Sequence, residues 1–169
     1  MNVRIRAAEP GDAAALVALA TAVGSEPQGW LLADSHWRSV ADERRYVRAL
    51  RRHPDGALIV ADAGGLVIGR LSIVRDPHPS SPHVADLGLM VAASHRRRGI
   101  GRALLAAAEE WARGAGVSKL ELHVFPHNEA AIKLYETFGF VQEGYRRGHY
   151  RRGDEYVDAI LMAYDVSTG

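Results

Sequence analysis

The residues best placed to do chemistry lie in one run, VADLGLMVAASHRRRGIGRALL, from Val84 to Leu105. Arg96, Arg97 and Arg98 are followed by Gly99-Ile100-Gly101 and then by an apolar stretch. The first turn of a helix carries backbone N–H groups with no internal partner. The aligned peptide dipoles favour negative charge at the same end. Glycines keep side chains away from those donors, and the arginines add positive charge. Together these features predict a cradle for a pyrophosphate. The run is not a Walker loop, because no Gly-Lys-Ser/Thr follows the glycines. Nor is it a Rossmann fingerprint, because Leu104 stands where the third glycine belongs. A solvated basic turn would have the same composition, so the flanking elements have to decide.

Before the run, Leu87, Leu89 and Val91 alternate with Asp86, Gly88 and Met90, which predicts a strand over 86–91. After it, Ile100, Leu104, Ala108 and Trp111 repeat at helical spacing, predicting a helix over 99–113 stopped by Gly114 and Gly116. Upstream lie a strand over 3–6 and a turn at Pro10-Gly11-Asp12, with Asp12 as the cap of a helix over 13–23. A second helix spans 40–52, and Glu43, Arg44, Arg45 and Arg48 mark its solvated side. Trp30 and Trp37, just ahead of it, suit a substrate pocket and core packing equally. Strands over 57–61 and 66–74 flank a Gly64-Gly65 hairpin turn. The loop 76–83 is proline-rich, and its histidines lack metal-ligand spacing, so no metal is expected. A strand over 119–125 puts Leu120, Leu122 and Val124 on one face. A helix over 128–138 ends at Gly139, and strands over 141–150 and 155–164 flank a Gly153-Asp154 turn.

The 169 residues suit a single domain, 1–169, with a sizeable core. A net charge of +1 makes the arginine run a local feature, which argues against a nucleic-acid partner. Neither a long apolar run nor an apolar signal core is present, so no membrane partner is expected and a cytoplasmic location follows by default. The absence of cysteine excludes disulfides, thiolate metal ligands and a thiol nucleophile.

Two motifs carry a family resemblance. Arg96-x-x-Gly99-x-Gly101 matches the Arg/Gln-x-x-Gly-x-Gly/Ala motif of the GCN5-related N-acetyltransferases (GNAT superfamily). Asn128-Glu-Ala-Ala-Ile-Lys-Leu-Tyr135-Glu-Thr-Phe-Gly139-Phe140 matches the N-x-x-A-x-x-L-Y-x-x-x-G-F pattern of the same family. The order of elements agrees as well, and the likeness is weakest over 24–52. The resemblance implies an α/β (α+β) fold: a mixed, mostly antiparallel sheet of about seven strands, with strands four and five splayed, flanked by about four helices.

The resemblance also implies acetyl-CoA as co-substrate and no metal. The pantetheine arm would lie against Leu89, Met90 and Val91, and the pyrophosphate against Arg96, Arg97, Arg98, Gly99, Ile100, Gly101 and Arg102. Asn128 would reach the pantetheine or acetyl end, although Asn before Glu-Ala-Ala is equally a helix cap. Tyr135 would touch the cofactor and act as the acid. A phenol of pKa ~10 can assist the departure of a thiolate whose conjugate acid has pKa ~8.5. From spacing alone Tyr135 is a core aromatic beside Ala131 and Phe138.

An amine acceptor must lose a proton before it attacks. Asp86 is the first choice of base, with Glu121 and His123 as alternatives on the neighbouring strand. The stretches His83-Val84-Ala85-Asp86 and Glu143 to Asp158 look like bacterial small-amine and L-amino-acid N-acetyltransferases. Arg146, Arg147, Arg151 and Arg152 offer a clamp for an acceptor carboxylate, or simply guard an edge hairpin with charge. The function expected is therefore direct transfer, in a ternary complex, from acetyl-CoA to a primary amine. The alternatives are a protein N-terminal or ribosomal-protein acetyltransferase, an antibiotic-type resistance enzyme, and a silent CoA-binding sensor. A homodimer is left open.

Overall fold

The computed structural model describes residues 2–32 and 37–168. Its strands are β1 (Arg4–Ala7), β2 (Gly56–Ala63), β3 (Leu66–Arg75), β4 (Val84–Val91), β5 (Lys119–Val124), β6 (Val141–Arg152) and β7 (Glu155–Asp165). Among the described residues the α-helices are α1 (Ala13–Gly24), α2 (Val40–Arg52), α3 (Ile100–Ala115) and α4 (Glu129–Phe138). The seven strands form one sheet in the order β1-β2-β3-β4-β5-β7-β6. Neighbouring strands are antiparallel except β4 and β5, which are parallel. A parallel pair needs a crossover connection, and α3 supplies it. The expected seven-stranded mixed sheet with its flanking helices is therefore what forms. No helix among the described residues is long and apolar enough to cross a membrane.

The period-two alternation of the strands divides the core between two sheet faces. Leu71, Ile73, Leu87, Leu120 and Leu122 pack with Leu104, Leu105 and Ala108 of α3. Leu58, Val60, Val67 and Met90 pack with Leu16, Leu19 and Ala20 of α1 and Val47 of α2. Each fully buried side chain of this size contributes about 1.5–3 kcal/mol.

The feature that matters for function is where pairing stops. β4 and β5 are joined over Val84↔Lys119, Ala85↔Leu120 and Asp86↔Glu121 only. Beyond that point β4 stays paired with β3 up to Val91↔Gly69, and β5 stays paired with β7 up to Val124↔Ile160. Each strand is thus held on its outer side while its inner edge diverges from the other, opening a wedge in the middle of the sheet.

Several expectations need correction. Glu43 was placed on the solvated side of α2, yet it is completely buried. Glu43, Tyr46, Val47 and Leu50 recur at i, i+3, i+4 and i+7 and face inward, while Arg44, Arg45 and Arg48 remain exposed. Asp12 makes no side-chain cap for α1. Its carboxylate instead accepts the Glu9 amide at 2.7 Å and pairs with Arg6 at 2.8 Å. Gly99 is not part of α3 but stands before it with φ 79°, and Gly114 lies inside the helix, which ends at Gly116 with φ 71°.

Candidate active site

The wedge leads to the start of α3. The first intrahelical bond runs from the Ala103 amide to the Gly99 carbonyl, 3.0 Å, so the amides of Ile100, Gly101 and Arg102 precede any such partner. The turn before them is tightly coiled, because Arg97 has φ 61° and Gly99 φ 79°. A Cβ on Gly99 would meet no atom within 4 Å, so open space lies before the cradle. Gly101 is needed for a different reason. A Cβ there would lie 2.7 Å from Leu134 Cδ2, so this glycine lets α4 approach α3 and does not keep the cradle clear.

The arginines divide their work. Arg96 makes a bidentate pair with Glu26, 2.6 and 2.7 Å, and donates to the Val91 carbonyl at 3.0 Å. Its guanidinium is a brace between the end of β4 and the chain after α1. Arg98, Gly99 and Ile100 line a depression with Asn2, Val3, Ile5 and Ala103. Arg102 lies over the Phe138 ring at 5.7 Å. A second concavity, lined by Val47, Leu50, Leu58 and Trp111, contains none of the candidate residues.

On the α3 side of the wedge, Tyr135 sits in the core with its ring 5.7 Å from that of Phe140. It is 6% exposed, and burial pushes its phenol well above the usual range. It therefore stays protonated at neutral pH. Asn128 caps α4, its Oδ1 accepting the Ala131 amide at 3.2 Å.

The opposite face of the sheet carries a ladder of side-by-side residues: Arg70 with Met90, Ser72 with Gly88, and Val74 with Asp86, which in turn neighbours Glu121. A Cβ on Gly88 would lie 3.4 Å from Ser72 Oγ, which confirms that the two share a face. Arg70 and Met90 are buried, whereas Asp86, Gly88 and Val74 are exposed. This face of the sheet is thus open from the Ser72–Gly88 rung outward. Asp86 reaches solvent, but surrounding protein still strips part of its hydration. That desolvation, reinforced by the charges of Glu121 and Asp76, raises its carboxyl to about 6. Lys119 bridges Glu121 at 3.3 Å and Glu143 at 2.8 Å.

His123 lies two residues beyond Glu121, and its Nδ1 is 2.5 Å from Tyr150 Oη. Burial, Arg146 and His149 depress its basicity, against the pull of Glu121. Tyr135 thus lies on the α3 face of the sheet, and Asp86, Glu121 and His123 lie on the other.

The chain after α1 is tied to the ends of β5 and β6. His127 Nε2 meets the Gln28 carbonyl at 3.0 Å, and the His127 ring stacks between Trp30 and Phe125 at 5.5 and 5.6 Å. Arg152 donates to the carbonyls of Gly29 and Leu31 at 3.1 and 3.3 Å. Arg151 bonds the Gly153 carbonyl of its own turn. Two of the four hairpin arginines are therefore engaged with backbone. Trp30 and Trp37 both pack against the cluster under α1 and α2.

With this geometry in place, the comparison with known proteins is direct. Residues 25–140 match the model of the Acetyltransferase (GNAT) family. The chain belongs to this family. L-amino acid N-acetyltransferase AaaT of Escherichia coli is 38% identical to this GNAT chain over 109 residues, which is 62% of the chain and 65% of AaaT. The [ribosomal protein bS18]-alanine N-acetyltransferase of the same organism is 42% identical over 73 residues, 43% of the chain and 49% of that enzyme. The chain thus spans about half to two thirds of the length of these curated relatives. A GNAT acetyltransferase from Streptococcus pneumoniae superposes with a TM-score of 0.88 at 28% identity, covering 97% of this chain and 99% of that one. The yncA structure from Salmonella typhimurium, solved with its cofactor acetyl-CoA, shares the fold with a TM-score of 0.87 at 20% identity, covering 98% and 95%.

The GNAT chain has residues that suit acetyl-CoA. Amides 100–102 at the start of α3, with the open space before Gly99, fit a pyrophosphate. The diverging inner edge of β4 from Leu87 to Val91 offers backbone to an extended arm. What reading the sequence missed is the buried pair Glu43 and Arg70, with Trp37 and the exposed Arg38 beside it. Its signals were present: an acid within a helical inward stripe, and an arginine in the middle of the apolar strand LVIGRLSIV.

Proposed function

We propose that this GNAT protein is an N-acetyltransferase that moves the acetyl group of acetyl-CoA to the primary amine of a small acceptor, with free amino acids the favoured class. The break in pairing between β4 and β5 supports this reading, with Tyr135, a phenol kept protonated at neutral pH by burial, in the core on one face of the sheet and Asp86, a carboxyl held at about 6, on the other. Acetyl-CoA bound in the wedge would supply a thioester carbonyl as the electrophile. The chain's residues do the rest. Amides 100–102 hold the pyrophosphate, with Arg97, Arg98 and Arg102 adding charge, and the β4 edge at Leu89, Met90 and Val91 orients the arm. Asp86, mostly ionised at pH 7, takes a proton from the acceptor's ammonium, directly or through water. Glu121 and His123 stand beside it. Tyr135 gives its hydroxyl proton or a hydrogen bond to the departing sulfur, and Asn128 combines capping α4 with contact to the arm. No cysteine is present to carry the acetyl group, which favours direct transfer in a ternary complex.

The likeness to AaaT supports free amino acids as acceptors. The likeness to the ribosomal-protein-alanine enzyme supports a second reading, in which the acceptor is a protein N-terminus. A thiol-release screen against free amino acids, polyamines, aminoglycosides and N-terminal peptides tests both. Turnover with free amino acids above the other classes is expected; turnover with an alanine-initiated peptide alone would favour the second reading. Release with no acceptor in the panel would leave a binding protein.

A further inference from the structure

The transfer chemistry leaves one group of charged residues without a role. Arg70, in the middle of β3, is 5% exposed, and Glu43 of α2 is 0% exposed. Glu43 Oε2 accepts from Arg38 Nη1 at 2.7 Å and from Trp37 Nε1 at 3.2 Å. Its Oε1 is 3.7 Å from Arg70 Nη2, beyond hydrogen-bond reach. Among the described residues, Arg70 Nε and Nη2 are buried with no hydrogen-bond partner, and so is Glu43 Oε1. Both guanidiniums lie 5.0 Å from the Trp37 ring, and that of Arg38 lies 4.2 Å from the Tyr46 ring. A guanidinium stays charged at neutral pH, so two positive charges share one carboxylate. Unpaired, buried charged donors are costly, and an apolar pair of similar volume would serve packing as well or better. The surplus positive charge calls for one more anion.

The position of the group says where that anion would come from. Arg70 occupies the rung adjacent to Ser72–Gly88, on the same face, about 7 Å along the strand. The covering helices leave the face open from that rung onward, and Asp86 stands one rung further out. The Arg70 guanidinium lies 5.0 Å from the ring of Trp37; Trp37 and Arg38 are coil residues preceding α2, and the Arg38 side chain is 38% exposed.

We propose that Arg70 and Arg38, held by Glu43 and Trp37, are the receptor for the carboxylate of the acceptor, and that acceptors are α-amino acids. The inference rests on the acetyl-transfer reading and deepens it. An acceptor lying over Ser72 and Gly88 directs its carboxylate inward to the guanidiniums and its amine outward to the wedge and Asp86. An amino acid carries a carboxylate and an amine together, which fits a site with guanidiniums on one side of the Ser72–Gly88 rung and Asp86 on the other. The hairpin arginines are not needed for this clamp.

Calorimetric titration of the CoA-saturated protein with paired ligands tests the receptor independently of turnover. Free alanine, leucine and histidine would be compared with their amides in wild type, Arg70→Gln and Arg38→Gln. Wild type should bind the acids at least ~10-fold more tightly than the amides, and each variant should abolish that preference while leaving amide binding near wild type. If Arg70→Gln does not fold, Arg38→Gln decides, since its side chain is partly exposed. Equal binding of acids and amides by wild type, or equal losses for both ligands in the variants, overturns the receptor. Amine-dependent thiol release alongside such a result would leave the transfer reading standing; acid binding without thiol release would count against transfer alone.

Discussion

Asp86 and Tyr135 are where the proposed chemistry concentrates, and each makes a distinct prediction. Asp86→Asn should lower turnover ~10²–10⁴-fold with little change in CoA affinity, the range associated with a general base. With its carboxyl at about 6, wild-type activity should fall as pH drops through 6, because the protonated acid cannot take a proton. The variant should lack that limb and partly recover at high pH, where free amine forms unaided. Stability has the opposite sign. A carboxyl raised in the folded state stabilises the fold below its unfolded pKa of ~4, and that contribution is lost as pH rises through 6. Asp86→Asn should therefore gain thermal stability relative to wild type at pH 7 more than at pH 4, which scanning calorimetry at both pH values would show. Near wild-type turnover for Asp86→Asn at neutral pH would shift the base to Glu121 or His123. Tyr135→Phe keeps the ring against Phe140, so it should fold normally yet lose ~10²-fold in turnover. Unchanged turnover would make Tyr135 a packing residue only.

At the scale of elements, the turn between β4 and α3 separates two glycines that look alike in sequence. Gly99→Val puts a β-branched residue at φ 79° facing open space, so coenzyme A affinity should drop with a modest loss of stability, ~1–2 kcal/mol. Gly101→Val collides with Leu134, so it should loosen α3 from α4 and lower Tm as well as affinity. Arg97→Ala should do less than either, because it removes one solvent-screened charge. Titration with acetyl-CoA beside thermal melts of all three variants checks the order; equal affinity losses would count against a backbone cradle. The sequence shows Gly99 and Gly101 to be important but cannot show that Leu134, 33 residues away, is what Gly101 must admit. Helices and strands with strong periodicity, such as α3, β5 and α4, are readable because local pattern and burial agree. Glu43 and Arg70 escape that reading because their burial depends on each other across α2 and β3, and pattern alone treats a charge as solvated. The alternation of β4 is readable, whereas the point at which it parts from β5 is a property of pairing and of no single residue.

For the molecule as a whole, the sheet acts as a frame whose central interruption is held open from outside. The Arg96–Glu26 brace ties the end of β4 to the chain after α1, and His127 and Arg152 tie that chain to the β5 and β6 side of the wedge. Arg96→Ala should therefore weaken acetyl-CoA binding through loss of this brace more than Arg98→Ala, which removes only a peripheral charge; limited proteolysis after α1 in the two variants would show whether the chain there has loosened. The claim on which everything else depends is that this frame brings the two substrates together for direct transfer. Initial rates of thiol release, measured over a grid of acetyl-CoA and free amino acid concentrations, test it most directly. Intersecting double-reciprocal lines are predicted, since both substrates must be bound at once and no cysteine can hold the acetyl group. Parallel lines, the pattern of a covalent acetyl-enzyme, would contradict the account, as would thiol release independent of any amine.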